Sequence, residues 1–259
     1  MVKGAGFAER LATQGQPASW SWAAFADRDW PLANAGNLWQ TKATMTSLPP
    51  GVTVIQHPLV RVKLTRLRDE KTRPEEFRAR LSELSTLLVF EATRTLSTRP
   101  ETIQTPLKEC EGAALARPII IAPILRAGLG MVEGMLHVLA DVSVGHIGMK
   151  RDEVTHRPES YYFNLPSHLP DADVIVVDPM LATGHSASAA IEKLKQAGAQ
   201  SIRFVCCVCC PEGVEQLRAA HPDVPIFTAA LDEGLNDDAY IVPGLGDAGD
   251  RYFGTLPRL

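Results

Sequence analysis

The chain has 259 residues, 45% of them hydrophobic and 22% charged, with a formal net charge of −4. That length and apolar content allow one large or two small domains with a substantial core, and the acidic balance argues against nucleic-acid binding by bulk electrostatics while leaving room for a local basic pocket. The longest strongly apolar run, Ile119 to Leu125, is far shorter than the roughly 20 residues that span a bilayer, so no membrane partner is expected.

The first 50 residues hold all four tryptophans, Trp20, Trp22, Trp30 and Trp39, with no motif and no clear period. They lack the continuous apolar stretch of a secretory signal, and Glu9, Asp27 and Asp29 do not suit an organellar leader, so a cytoplasmic location is expected. Residues 1–50 are therefore read as an N-terminal extension of unknown role, and residues 51–259 as the functional domain. Met45, just before the Pro49-Pro50-Gly51 break, is an alternative start.

Val52 to Ile55 reads as a short strand. Leu59 to Leu67 carries alternating basic residues and fits either strand or helix. Phe77 to Thr95 places Phe77, Leu81, Leu84, Leu87, Leu88 and Ala92 at helical spacing, and Arg94 at its end either reaches a site or faces solvent. Ile119 to Ile124 has the continuous apolar character of a buried parallel strand. The following Leu125-Arg126-Ala127-Gly128 leads to a helix over Met131–Leu139, and Gly128 and Gly130 permit close backbone approach. Val144 to Met149 is a short strand; Lys150 and Arg151 follow, then the turn signal His156-Arg157-Pro158 and Tyr161-Tyr162-Phe163. A β-hairpin flap that closes over a site is expected there.

Val174-Ile175-Val176-Val177 is the expected central strand, with Asp178 at its carboxyl end, where open α/β sheets bind ligands. The small-residue loop Ala182-Thr183-Gly184 and then Ser186 lead into a helix of about Ser186–Ala197, with Gly198 beyond its end. Strand, tight polar loop and helix start together make a phosphate cradle. An acid beside an anion pocket suits a ligand with hydroxyls or a metal, and a ribose 5-phosphate offers hydroxyls to the acid and a phosphate to the loop.

A strand over Ile202–Cys209, a helix over Glu212–Ala220 and a strand over Val224–Ala229 complete an α/β chain with a doubly wound, mainly parallel sheet. Five cysteines, four of them in Cys206-Cys207-Val208-Cys209-Cys210, make a poor disulfide framework and fit a reducing compartment. On a strand their side chains alternate between faces, so buried cysteines rather than zinc ligands are expected. Tyr240 to Asp250, rich in glycine, reads as an irregular loop that brings backbone close to a ligand.

The segment DPMLATG at Asp178–Gly184 resembles the phosphoribosylpyrophosphate (PRPP) loop of type I phosphoribosyltransferases, and that of uracil phosphoribosyltransferases in particular. His57-Pro58-Leu59-Val60, Glu91-Ala92-Thr93-Arg94, Pro123 to Met131 and Tyr240 to Asp250 are similar to other motifs of that family, in the same order. Two departures stand out. Val62 occupies the place of a usual histidine, and His185 the place of a usual second glycine. Val177 before Asp178 matches the uracil branch, where the wider superfamily often carries two adjacent acids.

The resemblance implies transfer of the phosphoribosyl group of PRPP to uracil, giving UMP and diphosphate, on a sheet with a hairpin flap and a small C-terminal hood. It implies PRPP binding by Arg126, Arg151, Asp178, Pro179, Met180, Leu181, Ala182, Thr183, Gly184, His185, Ser186 and Asp247. Uracil binding would fall to Ile241, Gly246, Asp247 and Ala248, and catalytic roles to Asp178, Arg151 and Asp247. Mg²⁺ would arrive with PRPP without a direct protein ligand set. GTP as an allosteric activator and homo-oligomerisation are further expectations, with no nucleic acid among the partners. The His185 ring is expected either to bond the 5-phosphate or to face solvent. Two other classes fit the same motifs: a non-enzymatic PRPP-sensing regulator, and a transferase for another base.

Overall fold

The computed structural model describes residues 48–151 and 158–255. Nearly all of the expected extension at 1–50 lies outside the described residues, as do the tip of the flap and the side chain of Arg151.

In chain order come β1 (Val52–Val54), α1 (Pro58–Arg68), α2 (Pro74–Ala92), β2 (Thr98–Gln104), β3 (Glu109–Leu115), β4 (Ile119–Leu125) and α3 (Leu129–Leu136). Next are β5 (Ser143–Val144), β6 (His146–Arg151), β7 (Pro158–Asn164), β8 (Asp173–Val177), β9 (Met180–Leu181), α4 (His185–Gln196) and β10 (Ser201–Cys209). The last are α5 (Pro211–Ala220), β11 (Ile226–Leu231), β12 (Gly234–Leu235), β13 (Ile241–Val242) and α6 (Ala248–Phe253).

Nine strands form one sheet in the order β1-β11-β10-β8-β4-β6-β7, with β5 beside β4 and β9 beside β10. Its pairs are parallel except β6 with β7. The apolar run of Val174 to Val177 is buried throughout because both faces are covered, as a parallel sheet requires. Val174 and Val176 pack with Ile191 and Leu194 of α4 and Leu217 of α5. Ile175 and Val177 pack with α1, α2 and α3 through Leu64, Phe77, Leu81 and Met131. The sheet is thus doubly wound, with a core on each face.

The segment with alternating basic residues is helix. Pro58 stands at its first turn and the His57 ring caps it, accepting from Leu59 N–H at 3.2 Å, while Val60, Leu64 and Leu67 form one buried stripe. That stripe decides the matter, since a strand would bury alternate residues. Arg94 faces solvent, paired with Glu91 at 2.8 Å. The hairpin of β2 and β3 forms a separate two-stranded sheet with all of β2 exposed; lacking a buried face, it has no hydrophobic alternation to announce it. The base of the flap is part of the main sheet, since Ile147 and Gly148 of β6 pair with Ile124 and Leu125 of β4.

Cys110 is half-buried on β3, while Cys206, Cys207, Cys209 and Cys210 lie buried in and just after β10. Their alternation breaks at one point: Cys207 and Val208 face the same core, because both N–H groups donate to Pro179 O, at 3.0 and 3.2 Å. Cys206 and Cys209 still lie on the opposite face from Cys207 and Cys210. Among the described residues, no group of three or more His, Cys, Asp or Glu could hold a metal ion, and no helix is long and apolar enough to cross a membrane.

Candidate active site

Three segments meet at the carboxyl ends of β4 and β8. They are the turn Arg126–Ala127 after β4, the loop Asp178–Ala187 that spans β9 and opens α4, and the tail at Asp247–Gly249. Together they line a cleft of about 290 Å³, whose walls are Arg126, Ala127, Asp178, Met180, Leu181, Ala182, Thr183, Gly184, Ser186, Ala187, Asp247 and Gly249.

The floor is set by the central strand. Asp178 continues the ladder with its N–H on Val205 O at 3.2 Å, and its Oδ1 accepts from Met180 N–H at 3.2 Å. Burial pushes its carboxyl up from 3.8 to about 7, against the lowering effect of that single hydrogen bond. The acid therefore sits in a site that favours its neutral form until a ligand supplies compensating charge.

The loop turns through Gly184, whose φ of +76° is left-handed, and α4 starts at His185. The first intrahelical bond here is Ser188 N–H to Gly184 O at 2.9 Å. The preceding N–H groups, at His185 to Ala187, have no partner within the helix. With the helix dipole, they offer an anion site between the half-buried Thr183 and the exposed Ser186.

A buttress behind the loop was not legible as such in the sequence. Gly213 of α5 packs so closely that a Cβ there would stand 2.3 Å from Ala182 O and 2.4 Å from Leu181 O. The Cys210 thiol donates to Ala182 O at 3.1 Å. Gly213 read only as the start of a helix, and Cys210 only as the last of a buried run. Gly128 is likewise a packing glycine, since a Cβ there would lie 2.5 Å from Val177 O.

Arg126 is exposed at the mouth, its guanidinium carbon 5.8 Å from the Phe253 ring centroid. The tail is less irregular than expected. It contains β13, paired antiparallel with β12, and α6 from Ala248. Asp247 caps that helix, its Oδ1 accepting from Asp250 N–H at 2.8 Å, because a short polar side chain before a helix satisfies an otherwise free N–H.

Of the residues expected at the site, Pro179, His185, Ile241, Gly246 and Ala248 do not line the cleft. His185 is exposed, while Pro179, Ile241 and Ala248 are buried. Ala127, Ala187 and Gly249 also line it, beyond the residues expected from the sequence. They offer no functional side chain for sequence reading to single out.

The carboxylates of the wall are those of Asp178 and Asp247. Two oxygen donors without a three-ligand cluster suit Mg²⁺, which keeps waters and takes phosphate oxygens from its substrate.

A doubly wound parallel sheet with an acid and a Thr-Gly loop closing its central strand, under a C-terminal hood, defines a type I phosphoribosyltransferase. The chain belongs to the uracil phosphoribosyltransferase family, whose model matches residues 54–255. It is 55% identical over 205 residues to a uracil phosphoribosyltransferase of Dictyoglomus turgidum, covering 79% of this chain and 99% of that one. It is also 55% identical over 206 residues to one of a Caulobacter species, with the same coverage. A solved protein of Aquifex aeolicus is similar at a TM-score of 0.75 and 35% identity, covering 78% of this chain and 97% of that one.

Proposed function

We propose that residues 51–259 form a phosphoribosyltransferase domain that transfers the phosphoribosyl group of PRPP to uracil, giving UMP and diphosphate in pyrimidine salvage. The observation that supports this reading best is the convergence of Arg126, Asp178, Thr183, Ser186 and Asp247 on one cleft.

The reaction breaks the bond between the anomeric carbon and diphosphate through a cationic transition state and forms a bond from that carbon to N1 of the base, whose N1 proton leaves to the departing diphosphate or to water. It needs no side-chain nucleophile; orientation and charge stabilisation carry it. The N–H groups that open α4, with the Thr183 and Ser186 hydroxyls, hold the 5-phosphate. Pro179 to Leu181 shape the loop from below. Arg126 receives the diphosphate as charge grows on it, and Arg151, from the flap, is the second cation for that group. Asp178 binds the ribose hydroxyls and, when ionised, stabilises the positive charge that develops at the anomeric carbon. Mg²⁺ would arrive with PRPP, held by its phosphate oxygens, with Asp247 orienting a water on it; bound, it would neutralise the diphosphate. Backbone groups of Ile241, Gly246 and Ala248 meet uracil's pattern of one donor between two carbonyl acceptors. Cytosine has an acceptor at N3 and a donor at C4 and would leave buried groups unpaired, each costing about 1–3 kcal/mol.

Diphosphate release from PRPP, measured with a panel of free bases, tests the proposal. Release with uracil alone supports it. Release with a purine or orotate instead makes the chain a transferase for another base, and PRPP binding without release with any base makes it a PRPP sensor. The same preparation, assayed with and without GTP and weighed by light scattering, tests GTP activation and self-association. Cell fractionation tests the cytoplasmic location.

A further inference from the structure

The turn that leads into the expected base-binding residues is held by a charged clamp outside the cleft. Arg68, the last residue of α1, donates from Nη1 to Asp232 Oδ2 at 2.8 Å and from Nη2 to Asp232 Oδ1 at 2.5 Å. Nη1 also donates to Gly244 O at 2.8 Å, and Gly244 N–H donates to Asp232 Oδ2 at 3.0 Å. Both polar backbone groups of Gly244 are thus bonded to one ion pair.

The pair is shielded, the Asp232 side chain being 5% exposed and that of Arg68 24%. It is also anchored in the sheet, because Asp232 directly follows β11 and its N–H donates to Cys209 O at 2.8 Å. Gly244 fits this place for two reasons. Its φ is +59°, and a Cβ would lie 2.0 Å from Ile241 O. One residue on, Leu245 O accepts from Arg251 Nη1 at 2.8 Å, and Arg251 also bonds Asp69 O at 2.6 Å and stacks 4.5 Å over Phe77. The carbonyls of Gly244 and Leu245 are therefore tied to α1 and its end, which sets the course of the chain into Gly246, Asp247 and Ala248.

We propose that Arg68 and Asp232 are a positioning pair for base recognition, holding the hood turn in the register at which its backbone meets the pyrimidine. The inference rests on the uracil reading above. Neither residue lines the cleft, so they act through Gly244 and do not touch substrate. A guanidinium serves here because its planar fork reaches a carboxylate and a carbonyl together, which a single ammonium does less well.

Initial rates of the full chain, with uracil and PRPP varied separately, test this in the wild type, Arg68→Met and Arg68→Lys. A wild type inactive with uracil overturns the functional reading on which the inference stands. With an active wild type, Arg68→Met should raise KM for uracil at least tenfold while KM for PRPP stays within about twofold and kcat within about threefold, with Arg68→Lys falling between. If Arg68→Met does not fold, the ratio of the two KM changes in Arg68→Lys decides by the same criterion. Equal changes in both KM values, or an unchanged KM for uracil, would mean that the clamp serves stability alone and would overturn the inference.

Discussion

Replacing Asp178 with Asn removes a charge the fold holds at a cost, so it should stabilise the protein while it disables the chemistry. The carboxyl lies at about 7 in the folded protein against an ordinary 3.8. Below 3.8 both folded and unfolded chains carry the proton, and the two proteins should be equally stable. As pH rises from there to about 7, the unfolded wild type releases a proton that the folded one retains, so wild-type stability falls; above 7 the loss is complete. At ~1.4 kcal/mol per pH unit the full difference is about 4 kcal/mol. Asp178 is partly open to the cleft, where water screens its charge, so about 1–2 kcal/mol is the expected gain for Asn at pH 8. The amide keeps an acceptor for Met180 N–H, and for a domain of this size the gain corresponds to a Tm rise of about 2–8 °C. Thermal unfolding of both proteins at pH 5 and pH 8 measures it. The Tm difference should be largest at pH 8 and shrink toward pH 5. The same substitution should lower turnover on the order of a hundredfold. It should also remove the rise of kcat/KM for PRPP through about pH 7, a rise that reflects ionisation of the carboxyl in the free enzyme. The same Tm gain at both pH values would refute the buried-charge argument, and near-normal turnover would refute the catalytic one.

The Gly213→Ala variant should raise KM for PRPP on the order of tenfold, because a Cβ 2.3 Å from Ala182 O must push the phosphate loop forward; unchanged initial-rate kinetics would show that the loop is not set by its buttress. A chain starting at Met45 should remain soluble and keep its activity with uracil, since the family match begins at residue 54. Aggregation of the shortened chain would show that the preceding residues pack on the domain. His185→Gly should leave the dissociation constant for PRPP within about twofold by calorimetry, because the exposed ring does not line the cleft and glycine keeps the backbone N–H. A tenfold loss would mean that the ring contacts the phosphate.

The central strand, its acid, the small-residue loop that opens a helix and the alternation of strands with helices were all legible in the sequence. Each is a local pattern: an unbroken β-branched run needs two covered faces, and a small-residue loop before a helix exposes N–H groups wherever it stands. Leu59 to Leu67 showed where local pattern runs out, since alternating charge fits either strand or helix and only the packing of Val60, Leu64 and Leu67 against the sheet made it a helix. Tertiary structure alone paired Gly213 with Ala182, Arg68 with Asp232 and Gly244, and Arg251 with the carbonyls of α1 and the hood. It also lifted the Asp178 carboxyl toward neutrality. These contacts join residues up to 184 positions apart in the chain. A close approach or a desolvated charge is a property of what surrounds a residue in space, and no spacing along the chain records it.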